Sequence, residues 1–355
     1  MTKIFFYMFR KYIIGFTLAI SILLSINLLI IFLAELKNLG INQYDLILLV
    51  KYIIYLVPQN ILDIFPYALL IGSMIAFGSM SYHSEIVALN SMGIGIKKTI
   101  FIILFQTFFI ALIVSFSGNY FASDSAIHAQ NIKNTALQKN TANKEVWFKG
   151  KNTIINVKNV ITEHNLKNIE IYYIDNGILS SILTANKGTY NKEWNLESIK
   201  IIDINNNKII NKKSLIISSD NFLPSEVLKS SFRKKRYHSI QDLYTNIAYF
   251  DERGIFYEDY KITFWQKVFL PFSCCIIVFI GIPFLFKKAR STNQSQRIIY
   301  GILFGITYFV ISSILINASL ILNIPALVSV LISMGIFVIF GFLLFNRLVK
   351  KNIPI

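Results

Sequence analysis

Six runs of 17–25 residues without one charged side chain constrain this chain more than any other feature. They occupy 13–34, 64–80, 99–118, 268–286, 298–322 and 324–345. A helix rises about 1.5 Å per residue, so about 20 apolar residues cross a hydrocarbon core of about 30 Å. The runs therefore predict six membrane spans, the last two separated by the turn Asn323-Ile324-Pro325. The stretch 46–57 is also apolar, but Lys51 interrupts it, and Pro58 and Pro66 are expected to break any helix continuing into the second run. It reads as an interfacial helix leading into the second span. The first run follows Arg10 and Lys11 as a signal peptide would, yet it is too long and has no small-residue cleavage site before Glu35, which favours an uncleaved span.

The sidedness of the spans follows from Lys and Arg in the short loops, whose translocation is disfavoured. One side carries Lys3, Arg10, Lys11, Lys97, Lys98, Lys287, Lys288, Arg290, Arg297, Arg347, Lys350 and Lys351 against the single acid Glu85. Both termini are thus expected in the cytoplasm, with the long insert after the third span outside, in the periplasm of a Gram-negative cell. The net charge of +16 does not point to nucleic acid, because the excess basicity flanks apolar runs in a chain that is 54% hydrophobic and 15% charged. Residues 121–262 hold 20 Lys and Arg and 15 Asp and Glu, the balance of an ordinary solvated domain.

That insert opens on a helical stretch, 124–139, and then changes period. Segments 145–160, 169–174, 179–190, 194–204 and 208–218 are β-branched or alternating, and predict an antiparallel sandwich or jelly roll. The tracts Asn205-Asn206-Asn207-Lys208 and Asn211-Lys212-Lys213 read as turns. A helix over 239–256, ending at Gly254, returns the chain to the fourth span. The expected fold class is an α-helical membrane protein of six transmembrane helices with an inserted all-β periplasmic domain of jelly-roll or β-sandwich type. Its expected divisions are 1–119, 120–262 and 263–355. As a domain without a binding role the insert would be a spacer; a sandwich open along an apolar seam would be a binding domain.

Enzyme chemistry has no foothold in the sequence. His83, His128, His164 and His238 are far apart, and neither a His-Glu-x-x-His zinc motif nor a Gly-x-Ser-x-Gly elbow occurs. Cys274 and Cys275 are adjacent inside an apolar run and cannot make a spaced metal site. No catalytic residue, metal ligand or cofactor is expected. Gly93-Ile94-Gly95-Ile96-Lys97-Lys98-Thr99 lacks the glycine that precedes the lysine of a phosphate loop. Any pumping must then draw on a partner or an ion gradient, and the runs carry no ionisable group at mid-membrane. Asp63 sits at an end of the second span and reads as an interface residue. Ala68, Gly72 and Ala76 form a small-residue stripe, as do Gly301 and Gly305, both suited to close helix contact.

The loop 81–98 is more patterned than a connector. Ile86, Leu89 and Met92 recur at threes, Gly93 can end a helix, and Glu85 sits where a helix dipole favours an acid. The segment predicts a short amphipathic helix on the cytoplasmic face, suited to a lipid surface or to the groove of a soluble motor.

Several of these segments together resemble the LptG/LptF family of lipopolysaccharide export permeases, its LptG members more than its LptF members. The resemblance rests on Glu35-Leu36-Lys37-Asn38-Leu39-Gly40, Phe65-Pro66, the 84–93 segment and Val146-Trp147-Phe148-Lys149-Gly150. It continues through Trp265-x-Lys267-x-x-x-Pro271 and Arg297-x-x-x-Gly301-x-x-x-Gly305, in order and nearly end to end. It implies a half-transporter that pairs with an LptF-like chain on a dimer of an LptB-like ATPase. Such a complex extracts lipopolysaccharide from the inner membrane and passes it through the insert towards LptC and an LptA-like bridge. By the same resemblance Glu85, Ile86, Leu89, Met92 and Gly93 couple to the ATPase, the first and fifth spans line a lateral gate, and Lys133 meets headgroup phosphates. A neighbouring basic position of the family is Gln130 here, and a lysine late in the first span of LptG members is replaced near Ile31. The competing classes are another ABC-type permease with a periplasmic domain, for lipoprotein release or mechanotransmission, and a membrane anchor without transport.

Overall fold

The computed structural model describes residues 2–137, 146–149, 153–162, 165–175, 178–191, 193–204, 208–217, 237–252, 257–285 and 294–352. Four helices come first: α1 (Thr2–Leu36), α2 (Leu46–Tyr82), α3 (Glu85–Ser91) and α4 (Ile96–Ala136). Six strands follow, β1 (Val146–Lys149), β2 (Thr153–Thr162), β3 (Asn165–Asp175), β4 (Ile178–Asn191), β5 (Glu193–Asp203) and β6 (Lys208–Ile217). The chain then returns through α5 (Ile240–Glu252), α6 (Glu258–Val268), α7 (Leu270–Leu285), α8 (Gln294–Ile321) and α9 (Ala326–Asn352). Residues 205–207, Gly150, Gly254, Lys287, Lys288 and Arg290 lie outside the described residues.

Among the described residues, five helices are long and apolar enough to cross a membrane, and a sixth crossing is reached if α6 and α7, bent by 65°, form one span. This fits a multi-pass membrane protein with an antiparallel sheet inserted between two sets of helices. The bend has a local cause. Pro271 has no N–H to donate to the Lys267 carbonyl, and its ring disfavours helix just before it, so the helix restarts after Phe269.

The expectation that Pro58 and Pro66 break the second helix is wrong: α2 runs through both over 37 residues. Each proline costs one backbone hydrogen bond, but a broken helix would expose several polar backbone groups to lipid, which is worse. Asp45 starts this helix by accepting the Leu48 N–H at 2.8 Å, an N-cap placed ahead of the stretch read as a separate segment. Likewise the third span and the helical stretch after it form one helix, α4, of 41 residues.

Two compact units divide the chain: residues Met1–Leu36, Tyr55–Ala126 and Lys261–Ile355, and residues Lys37–Ile54 with Ile127–Tyr260. The core of the first is centred on α2, whose Phe65, Leu69, Leu70, Met74 and Phe77 are fully buried with Met8 and Tyr12 of α1 and Ile277, Val278 and Ile282 of α7.

In the second unit the six strands form one antiparallel sheet in sequence order, each paired with the next. Its buried set includes Ile155, Val157, Leu166, Ile169, Ile171, Leu183, Ala185, Trp194, Leu196 and Ile199. Strict alternation cannot put Leu166 and Ile169, or Leu196 and Ile199, on one face, because each pair is three residues apart. The parity switches at Lys167-Asn168 in β3, Asn186-Lys187 in β4 and Glu197-Ser198 in β5, where two consecutive residues escape burial. Asn168 and Ser198 take left-handed backbone there, with φ of 54° and 55°. The register runs unbroken across this line, Lys167 opposite Lys187 and Lys187 opposite Glu197. A crease thus crosses the sheet and lets one face serve the core on both sides, as a strand does when it turns a sandwich corner. In β6 the line falls at Lys213-Ser214, where Ser214 pairs with Glu197. The tract Asn211-Lys212-Lys213, expected to be a turn, is mid-strand. The helix α5 opens on a reciprocal cap in which Ser239 Oγ accepts the Asp242 N–H and Asp242 Oδ2 accepts the Ser239 N–H.

Candidate functional site

The residues expected to contact a motor sit on α3, seven residues long and held between α2 and α4. The chain enters it through Ser84 in left-handed backbone and leaves through Gly93, whose φ is 83°. Gly93 donates to the Asn90 carbonyl and Ile94 to the Leu89 carbonyl, each at 3.0 Å, which closes the last turn as the glycine predicted.

The apolar residues expected to form one stripe, Ile86 and Leu89 of α3 and Met92 at its C-cap, do not share a face. Ile86 and Leu89 are 7% and 8% exposed, spent on the core that also holds Met8, Tyr12, Phe77 and Met80. Met92 is 71% exposed, and its exposed companion is Val87 at 64%. At 3.6 residues per turn a spacing of three drifts by about 60° a step, so Ile86 and Met92 stand about 120° apart around the axis. The outward apolar surface of α3 is therefore Val87 and Met92.

Glu85 is committed within the chain. Tyr7 Oη donates to its Oε2 at 2.8 Å and Lys11 Nζ to its Oε1 at 3.0 Å, so both carboxylate oxygens are held by α1. Tyr7 and Lys11 are four apart and share one helix face, and the Lys11 ammonium lies 5.2 Å from the Tyr7 ring centre. All three groups are partly open to water, with Lys11 and Glu85 side chains 33% and 27% exposed. Sequence reasoning missed this triad, although a Tyr-x-x-x-Lys spacing before the first apolar run was its signal.

α1 is fixed elsewhere too. Tyr12 Oη lies 3.0 Å from Thr107 Oγ1 and 3.3 Å from the Leu69 carbonyl, and Gln106 Nε2 donates to the Phe5 carbonyl at 3.0 Å. Gly72, from the small-residue stripe of α2, meets α1 directly: a Cβ there would stand 2.7 Å from the Phe16 Cα. Beyond Ala19 the helix is largely bare, with Ile22, Ile26, Leu29, Ile30 and Leu33 exposed until Glu35 is buried again. Within the most apolar 18-residue stretch, 6% of α1 and 11% of α8 is buried, against 56% of α2.

Gly301 and Gly305 bring α8 against α2. A Cβ on Gly301 would meet Met74 Cγ at 2.9 Å, and one on Gly305 would meet Leu70 Cδ2 at 3.4 Å. Lys133 lies in the last turn of α4, its ammonium 5.2 Å from the Tyr52 ring centre. Beyond it the helix end is tied down: Gln43 N–H donates to the Ala136 carbonyl at 3.1 Å, and Asn42 Nδ2 to the Leu137 carbonyl at 2.5 Å.

Comparison with known proteins covers both sets of helices and the sheet. The family described as "Lipopolysaccharide export system permease LptF/LptG" matches residues 6–347. The lipopolysaccharide export system permease protein LptG of Haemophilus influenzae is 27% identical over 336 residues, 92% of this chain and 93% of its own length. The protein of the same name from Escherichia coli K12 is 23% identical over 339 residues, 93% of this chain and 94% of its own.

Proposed function

We propose that this chain, which belongs to the lipopolysaccharide export system permease LptF/LptG family, is the LptG-type half of an ATP-driven exporter in the bacterial inner membrane. The observation that carries the reading is coextension: the family match spans 6–347, and so takes in the first long helices, the antiparallel sheet and the returning helices in order.

On this reading the chain binds and guides lipid while another subunit supplies ATP hydrolysis. An LptB-like ATPase dimer docks at α3, where Val87 and Met92 give an apolar foothold and Glu85 an acid. An LptF-like permease completes the lipid cavity along α1 and α8, the two spans least covered by their own chain. The basic loop residues favour cytoplasmic termini, which leaves the sheet in the periplasm, where it hands lipopolysaccharide towards LptC and an LptA-like bridge. Lys133 at the end of α4 suits headgroup phosphate, with Tyr52 steadying its ammonium. The energetic need is plain: each acyl CH₂ exposed to water costs about 0.8 kcal/mol, so a multi-chain lipid requires a continuous apolar route.

Affinity purification of the chain from its native membrane, with mass spectrometry of bound proteins and lipids, tests this. A second six-span chain, an ATPase and bound lipid A are expected. Recovery of an ATPase with a lipoprotein and no lipid A would favour the lipoprotein-release class, and recovery of no ATPase would leave a membrane anchor.

A further inference from the structure

We propose that Tyr7 and Lys11 of α1 are positioning residues that link α3 to the first span through Glu85. The inference rests on the reading of α3 as the place where an ATPase docks.

The geometry has three parts. Glu85 stands at the first position of α3, and its two carboxylate oxygens accept separate hydrogen bonds, from Tyr7 Oη at 2.8 Å and Lys11 Nζ at 3.0 Å. Both donors project from one face of α1, so the pair fixes the orientation of the carboxylate as well as its position. On the inner side, Ile86 and Leu89 share a buried core with Met8 and Tyr12 of the same helix. The polar contacts therefore bind α3 to Tyr7 and Lys11, and its inner side joins the same buried core as Met8 and Tyr12. A carboxylate can accept about four hydrogen bonds, so two remain for a basic group on a partner. Glu85 can be gripped by a motor without releasing α1.

The consequence is directional. The segment gripped by α3 lies just ahead of the apolar run of α1, and the same helix is pinned at Tyr12 by Thr107 and the Leu69 carbonyl. A displacement of α3 acts on α1 at Tyr7, about one and a half turns before that pivot, and at Lys11, the residue next to it. Tyr7 and Lys11 thus set how much of the motor's motion reaches the first span, without touching lipid or nucleotide.

The test uses the whole complex, this chain with its partner permease and ATPase, in liposomes containing lipopolysaccharide. Three quantities are read: ATPase bound per permease, ATP hydrolysed, and lipopolysaccharide released per ATP. The double variant Tyr7→Phe with Lys11→Met keeps both apolar stems and removes both donors, and Lys3 and Arg10 still anchor the N-terminus. It is expected to bind ATPase as the wild type does and to lose about fivefold or more in lipopolysaccharide per ATP, the lower range of couplings between sites. Lys11→Arg, which preserves the charged donor, should stay close to the wild type. An unchanged ratio in the double variant with ATPase bound overturns the linkage and leaves the docking reading standing. Loss of the ATPase from the double variant also overturns it, since the pair would then only shape a docking surface. If the wild-type complex holds no ATPase, the docking reading falls and takes the linkage with it.

Discussion

Gly15 of α1 and Gly72 of α2 meet backbone to backbone: a Cβ on Gly15 would stand 2.6 Å from the Gly72 carbonyl oxygen, with Ala76 Cβ next at 3.2 Å. A Cβ on Gly72 would likewise stand 2.7 Å from the Phe16 Cα, and no side-chain rotation relieves a clash with backbone, so the helices themselves would have to part. Gly72→Ala should therefore destabilise the folded chain by about 1–3 kcal/mol, the usual cost of overpacking. Thermal unfolding in nanodiscs measures this, and Gly335→Ala is the control, because nothing lies within 4 Å of its Cβ position. Equal behaviour of the two variants would refute the close contact.

Gly301 presents the softer case. Its clash is with Met74 Cγ at 2.9 Å, in a side chain with several rotatable bonds, so Gly301→Ala should cost less than Gly72→Ala, under about 1.5 kcal/mol. Gly301→Leu should exceed what Met74 can yield and weaken the α8–α2 contact, seen as faster cleavage or exchange in α8.

The crease in the sheet makes an opposite pair of predictions at one position. Ser198 holds a φ of 55°, which a β-branched residue adopts poorly. Ser198→Val should cost about 1–2 kcal/mol, while Ser198→Gly should be neutral or stabilise by up to about 1 kcal/mol. Amide exchange in β4 and β5 reads both; protection lost with glycine and kept with valine would contradict the crease.

Lys158 donates to Glu170, and with a second bond from Tyr172 holds its carboxyl below the ordinary glutamate value. A carboxyl depressed in the folded state adds stability above the unfolded-state value and loses it as pH falls through the folded-state value. Wild type should thus be more stable than Glu170→Gln at neutral pH, with the difference fading on acidification below the usual glutamate range. The Lys158 side chain is 49% exposed, so solvent limits the effect. Melting followed from neutral to acid pH checks the sign, and a gap that widens on acidification would oppose it.

Glu85→Lys sets two amines together where Lys11 now meets a carboxylate, and removes the acid offered to a partner. The helices should still form, because the group is partly solvated. Copurified ATPase should fall by roughly tenfold or more, in line with reversal of a charge at an interface.

What the sequence disclosed and what it hid divide along the range of the interactions. Charge-free runs report their own solvent, so the spans were legible, and Gly93 and the Asn323 turn report local backbone. Pro58 and Pro66 misled because their cost is local while the penalty for stopping a helix in lipid belongs to the surroundings. Periodicity identifies the stripe of Ile86 and Leu89 without saying what covers it, and here it is the chain's own core. The Glu85 triad joins residues 74 and 78 positions apart, so the Tyr-x-x-x-Lys spacing in α1 could show a polar face but not the acid that meets it. The crease could have been found: paired polar residues interrupt alternation at matching places in β3, β4 and β5.

The bare stripe of α1, from Ile22 to Leu33, carries an energetic consequence of its own. Lipid tails are as apolar as leucine, so this face gains almost nothing by exchanging a bilayer neighbour for protein, or protein for an incoming acyl chain. It bears large residues where tight helix pairs bear glycine. A boundary of this kind exchanges one occupant for another at almost no cost in free energy, so little work is needed to part it from a neighbour.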